Sequence, residues 1–252
     1  MTKKIIAVDL DGTLLNGESK LSDFTKDTIK QISKKGHHVI IATGRPYRMA
    51  KDFYHQLELE TPMINFNGSL THLPGKVWEH EKCLTVDKKY LLDMVARKEE
   101  IEADFIAGEY RKKFYITAPD HEIADPRLFG VENFHPENQF NSDLVTKDPN
   151  CILLQTRASD KYALAEEMNK FYQYQLNINT WGGPLNILEC TPKGVHKAFA
   201  LEYLLKVMNR DKQDLIAFGD EHNDTEMLSF AGKGYAMKNA NPALLPFADE
   251  QL

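Results

Sequence analysis

The stretch IIAVDLDGTLL, Ile5 to Leu15, decides how the rest of the chain is read. Four apolar residues, Ile5 to Val8, run straight into Asp9, Leu10 and Asp11, and Gly12-Thr13 follow at once. The apolar run is a buried-strand pattern. Two carboxylates at its end cost several kcal/mol each to desolvate unless something pairs them. What compensates Asp9 and Asp11 therefore decides what the protein does.

Working outward, the same strand-then-turn pattern recurs. HHVIIA (His37–Ala42) reads as a second strand and PMINF (Pro62–Phe66) as a third. A helix from Asp23 to Lys35, capped by Ser22 and closed by Gly36, joins the first strand to the second, and a helix from Pro46 through Leu57 joins the second to the third. This β-α-β-α-β order implies a parallel sheet with helices on both faces. After Asn67-Gly68 the rhythm changes. Leu70–His80 reads as a hairpin around Pro74-Gly75, and Val86–Lys98 as a helix. Short strands follow in DFIAG and KFYITA, whose aromatics (Phe105, Tyr110, Phe114, Tyr115) fit one alternating sheet face. A polar stretch from Pro119 to Pro149 precedes CILLQTR, a helix near Lys161–Tyr172, and LNINT. Trp181-Gly182-Gly183 is then either a substrate-facing loop or a simple turn. Past LNILEC the α/β rhythm returns, with a helix at Val195–Met208, the strand LIAFGD, a helix from Asp224 and the strand GYAM. The expected architecture is α/β: a Rossmann-like parallel-sheet core of residues 1–82 and 187–252, interrupted by an inserted α+β module at 83–186.

Composition narrows the partners. The 252 residues carry a formal charge of −6 with no basic stripe, which argues against nucleic acid. Cys83, Cys151 and Cys190 are scattered and form no C-x-x-C pair, so core or semi-buried thiols are expected. The apolar run after Lys3-Lys4 is too short for a secretory signal, and no segment approaches the ~20 apolar residues of a membrane span. A soluble cytoplasmic protein acting on a small molecule is expected.

In an open parallel sheet, ligands bind at the carboxyl ends of the strands. Strand one ends in Asp9 and Asp11, and strand two in Thr43-Gly44-Arg45. The late strand ends in Gly219-Asp220, with Glu221, His222, Asn223 and Asp224 behind it. TPKGVHK places Lys193 and Lys197 at the start of a helix. Several carboxylates at one point call for a hard divalent cation, and oxygen-only donors favour magnesium. A metal, a lysine, and hydroxyl and backbone donors make a phosphate clamp. A carboxylate beside a clamped phosphate can attack phosphorus, and a second one can exchange protons with the leaving oxygen and with water. Gly12 lets the chain turn sharply enough for both to face one cleft.

D-x-D-G-T-L-L, T-G-R-P, the late lysine and G-D-x-x-N-D, in that order, resemble the haloacid dehalogenase superfamily. The position and size of the insert, with Asn67-Gly68 and AMKNA (236–240), resemble its Cof-type phosphatases, which carry an α+β cap of type IIB. The resemblance implies Mg²⁺-dependent hydrolysis of small phosphomonoesters, such as sugar phosphates, through an aspartyl-phosphate. It casts Asp9 as nucleophile and metal ligand. Asp11 is cast as general acid/base that also lends the metal its backbone carbonyl. Thr43 with the Gly44 backbone, and Asn223, become phosphate contacts. Asp220 becomes a direct metal ligand and Asp224 an outer-sphere partner. The P-x-G-V-x-K pattern selects Lys197 as the phosphate lysine over Lys193. An Asp at position 11 also separates the chain from the transport ATPases and the dehalogenases of the superfamily.

Two alternatives stand beside this reading. A phosphomutase would use the same aspartyl-phosphate, but mutases of the superfamily typically carry a smaller helical cap. A phospho-acceptor binding module would carry its acceptor on a later strand, and no strand end between Ala42 and Phe66 offers one. The sequence departs from the family pattern at Lys238, where glycine is common. The family also often continues past the AMKNA position with a strand and a helix, whereas this chain stops at Leu252. Arg45 and Arg48 read as substrate contacts or, as is more common, solvated helix arginines, His222 as a rim residue, and Asn67 as a phosphate contact or simply a turn former.

Overall fold

The computed structural model describes residues 3–252 and divides the chain into two compact units. The first holds the residues up to Arg45, Ala50–Cys83 and Val195–Leu252; the second holds Pro46–Met49 and Leu84–Gly194.

In chain order the first unit begins with β1 (Ile5–Val8), α1 (Asp23–Lys34), β2 (His38–Ile41), α2 (Tyr47–Gln56), β3 (Met63–Asn65), β4 (Leu70–His72) and β5 (Lys82–Cys83). The first turn of α2 is counted with the second unit. Ser22 caps α1 as the sequence predicts, accepting the Thr25 backbone N–H at 3.0 Å. Val39, Ile40 and Ile41 are all fully buried, as a parallel strand covered on both faces requires. The third strand departs from expectation. β3 touches the parallel sheet through a single bridge, Ala42 to Ile64, and then turns back antiparallel into β4 and β5. The turn is made by Phe66 and Asn67, both left-handed at φ +51°, and Gly68 at φ +114°. The strand returning past Pro74-Gly75 is Lys82–Cys83, later than the predicted hairpin.

The second unit contains α3 (Lys88–Ala96), β6 (Ala103–Glu109), β7 (Phe114–Ile116), β8 (Cys151–Thr156), α4 (Lys161–Phe171), β9 (Leu176–Thr180) and β10 (Ile187–Pro192). Its antiparallel sheet has the order β7-β6-β8-β10-β9. Leu91 and Met94 of α3 and Ala165 and Met168 of α4 pack against Ile106, Ile152, Leu154, Ile178 and Leu188. The predicted boundary at residue 186 falls short, because β10 pairs with both β8 and β9 and carries this unit on to Gly194. Nor do the four aromatics share one face. Tyr110 and Tyr115 join the helix-covered core, whereas Phe105 and Phe114 pack on Phe129, with ring centroids 5.6 and 4.7 Å away. Cys151 and Cys190 are core thiols, and Cys83 is exposed.

The chain then returns to the first unit with α5 (Lys197–Val207), β11 (Leu215–Gly219), α6 (Thr225–Phe230), β12 (Lys233–Ala236) and β13 (Glu250–Gln251). The parallel sheet has the order β13-β12-β11-β1-β2, so a short strand does continue the sheet beyond β12. Ile5, Ala7, Leu215 and Ala217 of the sheet and Leu201 and Leu204 of α5 form its core. β1 lies between β2 and β11, and the order of strands reverses there; such a reversal opens a crevice at the carboxyl ends of the strands. Among the described residues no helix is long and apolar enough to cross a membrane.

Candidate active site

Beyond β1 the chain makes one wide turn, Leu10–Leu14, closed by Leu15 N–H donating to the Leu10 carbonyl at 2.8 Å. Gly12 sits at its apex with φ +74°, and a Cβ there would stand 2.0 Å from Asp220 Oδ2. Both the backbone angle and the close approach exclude a side chain. The turn leaves Asp9 5% exposed and Asp11 on the surface.

Lys197 answers the opening problem in part. It opens α5 fully buried, and its ammonium donates to Asp9 Oδ1 at 2.6 Å and to Asp224 Oδ1 at 2.7 Å. Asp224 is fully buried as well, and its Oδ2 accepts the backbone N–H groups of Asp220 (3.0 Å) and Glu221 (3.2 Å). Asp9, Asp220 and Asp224 each bring a carboxylate oxygen within 4.8 Å of the others. Three carboxylates thus face one ammonium, and negative charge is left over. Burial pushes the Asp9 carboxyl up to about 7; Lys197 opposes the rise, while Asp224 and Asp11 add to it. Burial likewise carries Asp220 to about 6, against the hydrogen bond from Thr13 and with help from Asp224. For Lys197 burial works to lower the value, but the fields of Asp224 and Asp9 win and hold it above the usual range. An oxygen-only donor set with unbalanced negative charge fits a hard divalent cation.

The neighbouring positions converge as the sequence predicts. Thr43 is buried, and its Oγ1 accepts the Arg45 backbone N–H at 3.1 Å, which leaves its own proton to donate. Gly44 lies against the Asn67 side chain, and Asn223 Nδ2 donates to Asn67 Oδ1 at 3.1 Å. The phosphate-contact candidates Thr43, Gly44 and Asn223 therefore meet around Asn67. Lys193 is exposed and belongs to the other unit, whereas Lys197 is built into the carboxylate group. His222 pairs with its neighbour Glu221 at 3.2 Å.

Asp11 stands apart from the three carboxylates. Its side chain is held by Arg45, with Nε to Oδ2 at 2.7 Å and Nη2 to Oδ1 at 2.5 Å. Arg45 lies ahead of α2 and is not the solvated helix arginine predicted. Arg48 departs from that prediction too: within the second unit it pairs with buried Glu109 at 2.7 Å. Sequence reasoning also missed Asn239, which donates to the Gly12 carbonyl (3.0 Å) and to Asp220 Oδ2 (3.2 Å) and so ties the AMKNA loop to the site. Its signal was present, since AMKNA follows the strand beside β11.

This site on this fold belongs to a hydrolase of the haloacid dehalogenase class. The family model for haloacid dehalogenase-like hydrolases matches residues 6–252, and the chain is a member of that family, a Cof-type phosphatase. Among curated proteins it is 32% identical over 251 residues to the 5-amino-6-(5-phospho-D-ribitylamino)uracil phosphatase YitU of Bacillus subtilis, covering 97% of this chain and 90% of the relative. A haloacid dehalogenase-like hydrolase from Bacteroides thetaiotaomicron superposes with a TM-score of 0.83 at 23% identity, covering 99% of this chain and 94% of that one. A structure described as a subclass IIB sugar phosphatase superposes at 0.81 with 19% identity, covering 99% and 93%. At those identities the two structures speak for the fold.

Proposed function

We propose that this phosphatase hydrolyses small phosphorylated metabolites in the cytoplasm, with Mg²⁺ as cofactor and Asp9 as nucleophile. The observation that carries the reading is the group of three carboxylates, two of them paired with Lys197. Asp9, Asp220 and the Asp11 carbonyl would hold the cation, with Asp224 behind them. Its chemistry when bound is to offset the charge of the phosphate oxygens. Thr43, the Gly44 backbone, Asn223 and Lys197 bind the phosphate. An Asp9 oxygen bonds to phosphorus, and the ester P–O bond breaks with its electron pair going to the leaving oxygen. That oxygen takes a proton from Asp11. Water then gives a proton to Asp11 as its oxygen attacks phosphorus, and the bond to Asp9 breaks to restore the carboxylate.

The inserted unit serves as the cap that selects the leaving group. Sugar and sugar-alcohol phosphates head the substrate expectation, which the ribityl phosphate of the 32% identical relative supports. The test is hydrolysis of an aryl phosphate and of a panel of sugar phosphates with Mg²⁺ or with chelator. Activity should vanish on chelation, and Asp9→Asn should form no phosphoenzyme. Full activity in metal-free buffer would sink the mechanism.

A further inference from the structure

We propose that Arg45 is a positioning residue for Asp11, fixing its carboxylate in the orientation from which protons pass to the leaving oxygen and from water. The inference rests on the phosphatase reading above and adds to it a residue that the sequence reads as a solvated arginine.

Asp11 needs an anchor. Its side chain is 53% exposed and extends from a turn whose backbone is shaped around Gly12. Among the described residues, Arg45 is the one donor to that side chain. An unanchored carboxylate on such a turn would sample several rotamers, and a general acid contributes only when it is held within hydrogen-bond reach of the reacting oxygen.

Arg45 is built to be that anchor. Its side chain is 21% exposed and its guanidinium lies 5.6 Å from the Phe53 ring centroid. Its backbone is pinned at both ends. The N–H donates to Thr43 Oγ1, and the carbonyl accepts Asn65 Nδ2 at 2.9 Å. The guanidinium therefore shares its footing with the hydroxyl proposed to bind phosphate, so Asp11 is placed relative to the phosphate and not merely tethered. Two parallel N–H donors fix the plane of a carboxylate, which a point-charge ammonium cannot do. The fork takes one lone pair from each oxygen and leaves another on each to exchange a proton.

The experiment compares Arg45→Met and Arg45→Lys with wild type on two leaving groups, by single-turnover phosphoenzyme formation and by steady-state kinetics. An alkyl phosphate needs a proton from Asp11; a p-nitrophenyl phosphate does not. Arg45→Met should slow phosphoenzyme formation from the alkyl ester about 10–100-fold, a large share of what a general acid supplies. The aryl ester should lose less than about threefold in that step, because its leaving group needs no proton. KM for both should stay within about threefold of wild type, and Arg45→Lys should recover little of the loss, for want of the fork. In an Asp11→Asn background Arg45→Met should add almost nothing, because the two act as a unit. Equal losses on both leaving groups, a rise in KM alone, a gain in rate, or additivity with Asp11→Asn would each overturn the role. Should Arg45→Met fail to fold, Arg45→Lys carries the same comparison. Wild-type protein that never forms a phosphoenzyme would instead indict the phosphatase reading, so the two failures are told apart.

Discussion

Lys197 in the first unit and Lys161 in the second both keep an ammonium nine-tenths or more out of water, and they are satisfied in opposite ways. Lys197 is met by two carboxylates, each of which it serves at less than 2.8 Å. Lys161 is met by three backbone carbonyls, of Trp181 (2.9 Å), Gly183 (3.0 Å) and Leu185 (2.8 Å). The three N–H donors of Lys161 are all used by neutral dipoles along one loop. That arrangement staples the loop after β9 and leaves no donor over. At Lys197 the charges do not cancel, and the surplus carboxylate is what a cation can engage. A buried ammonium is structural where its partners exhaust it and a candidate for chemistry where they overbalance it.

The sharpest way to break this contrast is to remove both ammoniums in separate variants. Lys197→Met should cost about 10²–10³-fold in kcat, the range of one lost charge-stabilising donor. It also strands Asp9 and Asp224 in the interior, so metal-free protein should lose stability by about 3–5 kcal/mol in urea melts. Lys161→Met should cost about 1–3 kcal/mol, because three carbonyls lose their donor. It should leave phosphoenzyme formation on an aryl phosphate at the wild-type rate. If Lys161→Met abolished phosphoenzyme formation, or Lys197→Met left it intact, the division of roles would fail.

A finer probe is Gly12→Ala. The new methyl would collide with Asp220 and demand a left-handed backbone at an L-residue, so Mg²⁺ affinity by calorimetry should fall about tenfold, or about 1.4 kcal/mol. Unchanged affinity would mean that Asp220 has no part in holding the cation. A further expected effect is in pH. The Asp9 and Asp220 carboxyls titrate near 7 and 6 in the metal-free protein, above the ordinary carboxylate range, so both hold protons more tightly than in the unfolded chain. Mg²⁺ requires the ionised forms, so its binding should release protons and weaken as pH falls from 7 to 5, by up to about tenfold per unit for each proton released. Titration in buffers of different ionisation enthalpy measures that release; an affinity flat across this range would exclude it.

Much of this was legible from residue order alone. Strand ends carrying Asp9, Thr43 and Asp220 mark a crevice because a parallel sheet places its strand termini on one edge. What escaped is what depends on pairing across space. LNILEC reads as a strand on either side of the boundary, since alternation reveals that a strand exists and not which sheet it joins. Arg45 sits one residue before a proline that opens a helix pattern, so nothing local distinguishes it from a solvated arginine. Its partner is 34 residues away. Asn239 was visible only as part of a loop, because its contacts run to Gly12 and Asp220.

The strand order has a consequence for biosynthesis. β1 is the first strand to leave the ribosome, yet one of its two neighbours is Leu215–Gly219. Lys197, which pairs with Asp9, lies 188 residues downstream of it. At roughly 5–20 residues per second, the interval between β2 and β11 is roughly ten to thirty seconds, during which β1 presents an unpaired apolar edge. The nascent chain therefore finishes its inserted unit before its first strand is closed, and Asp9 waits without a countercharge until the last third is made.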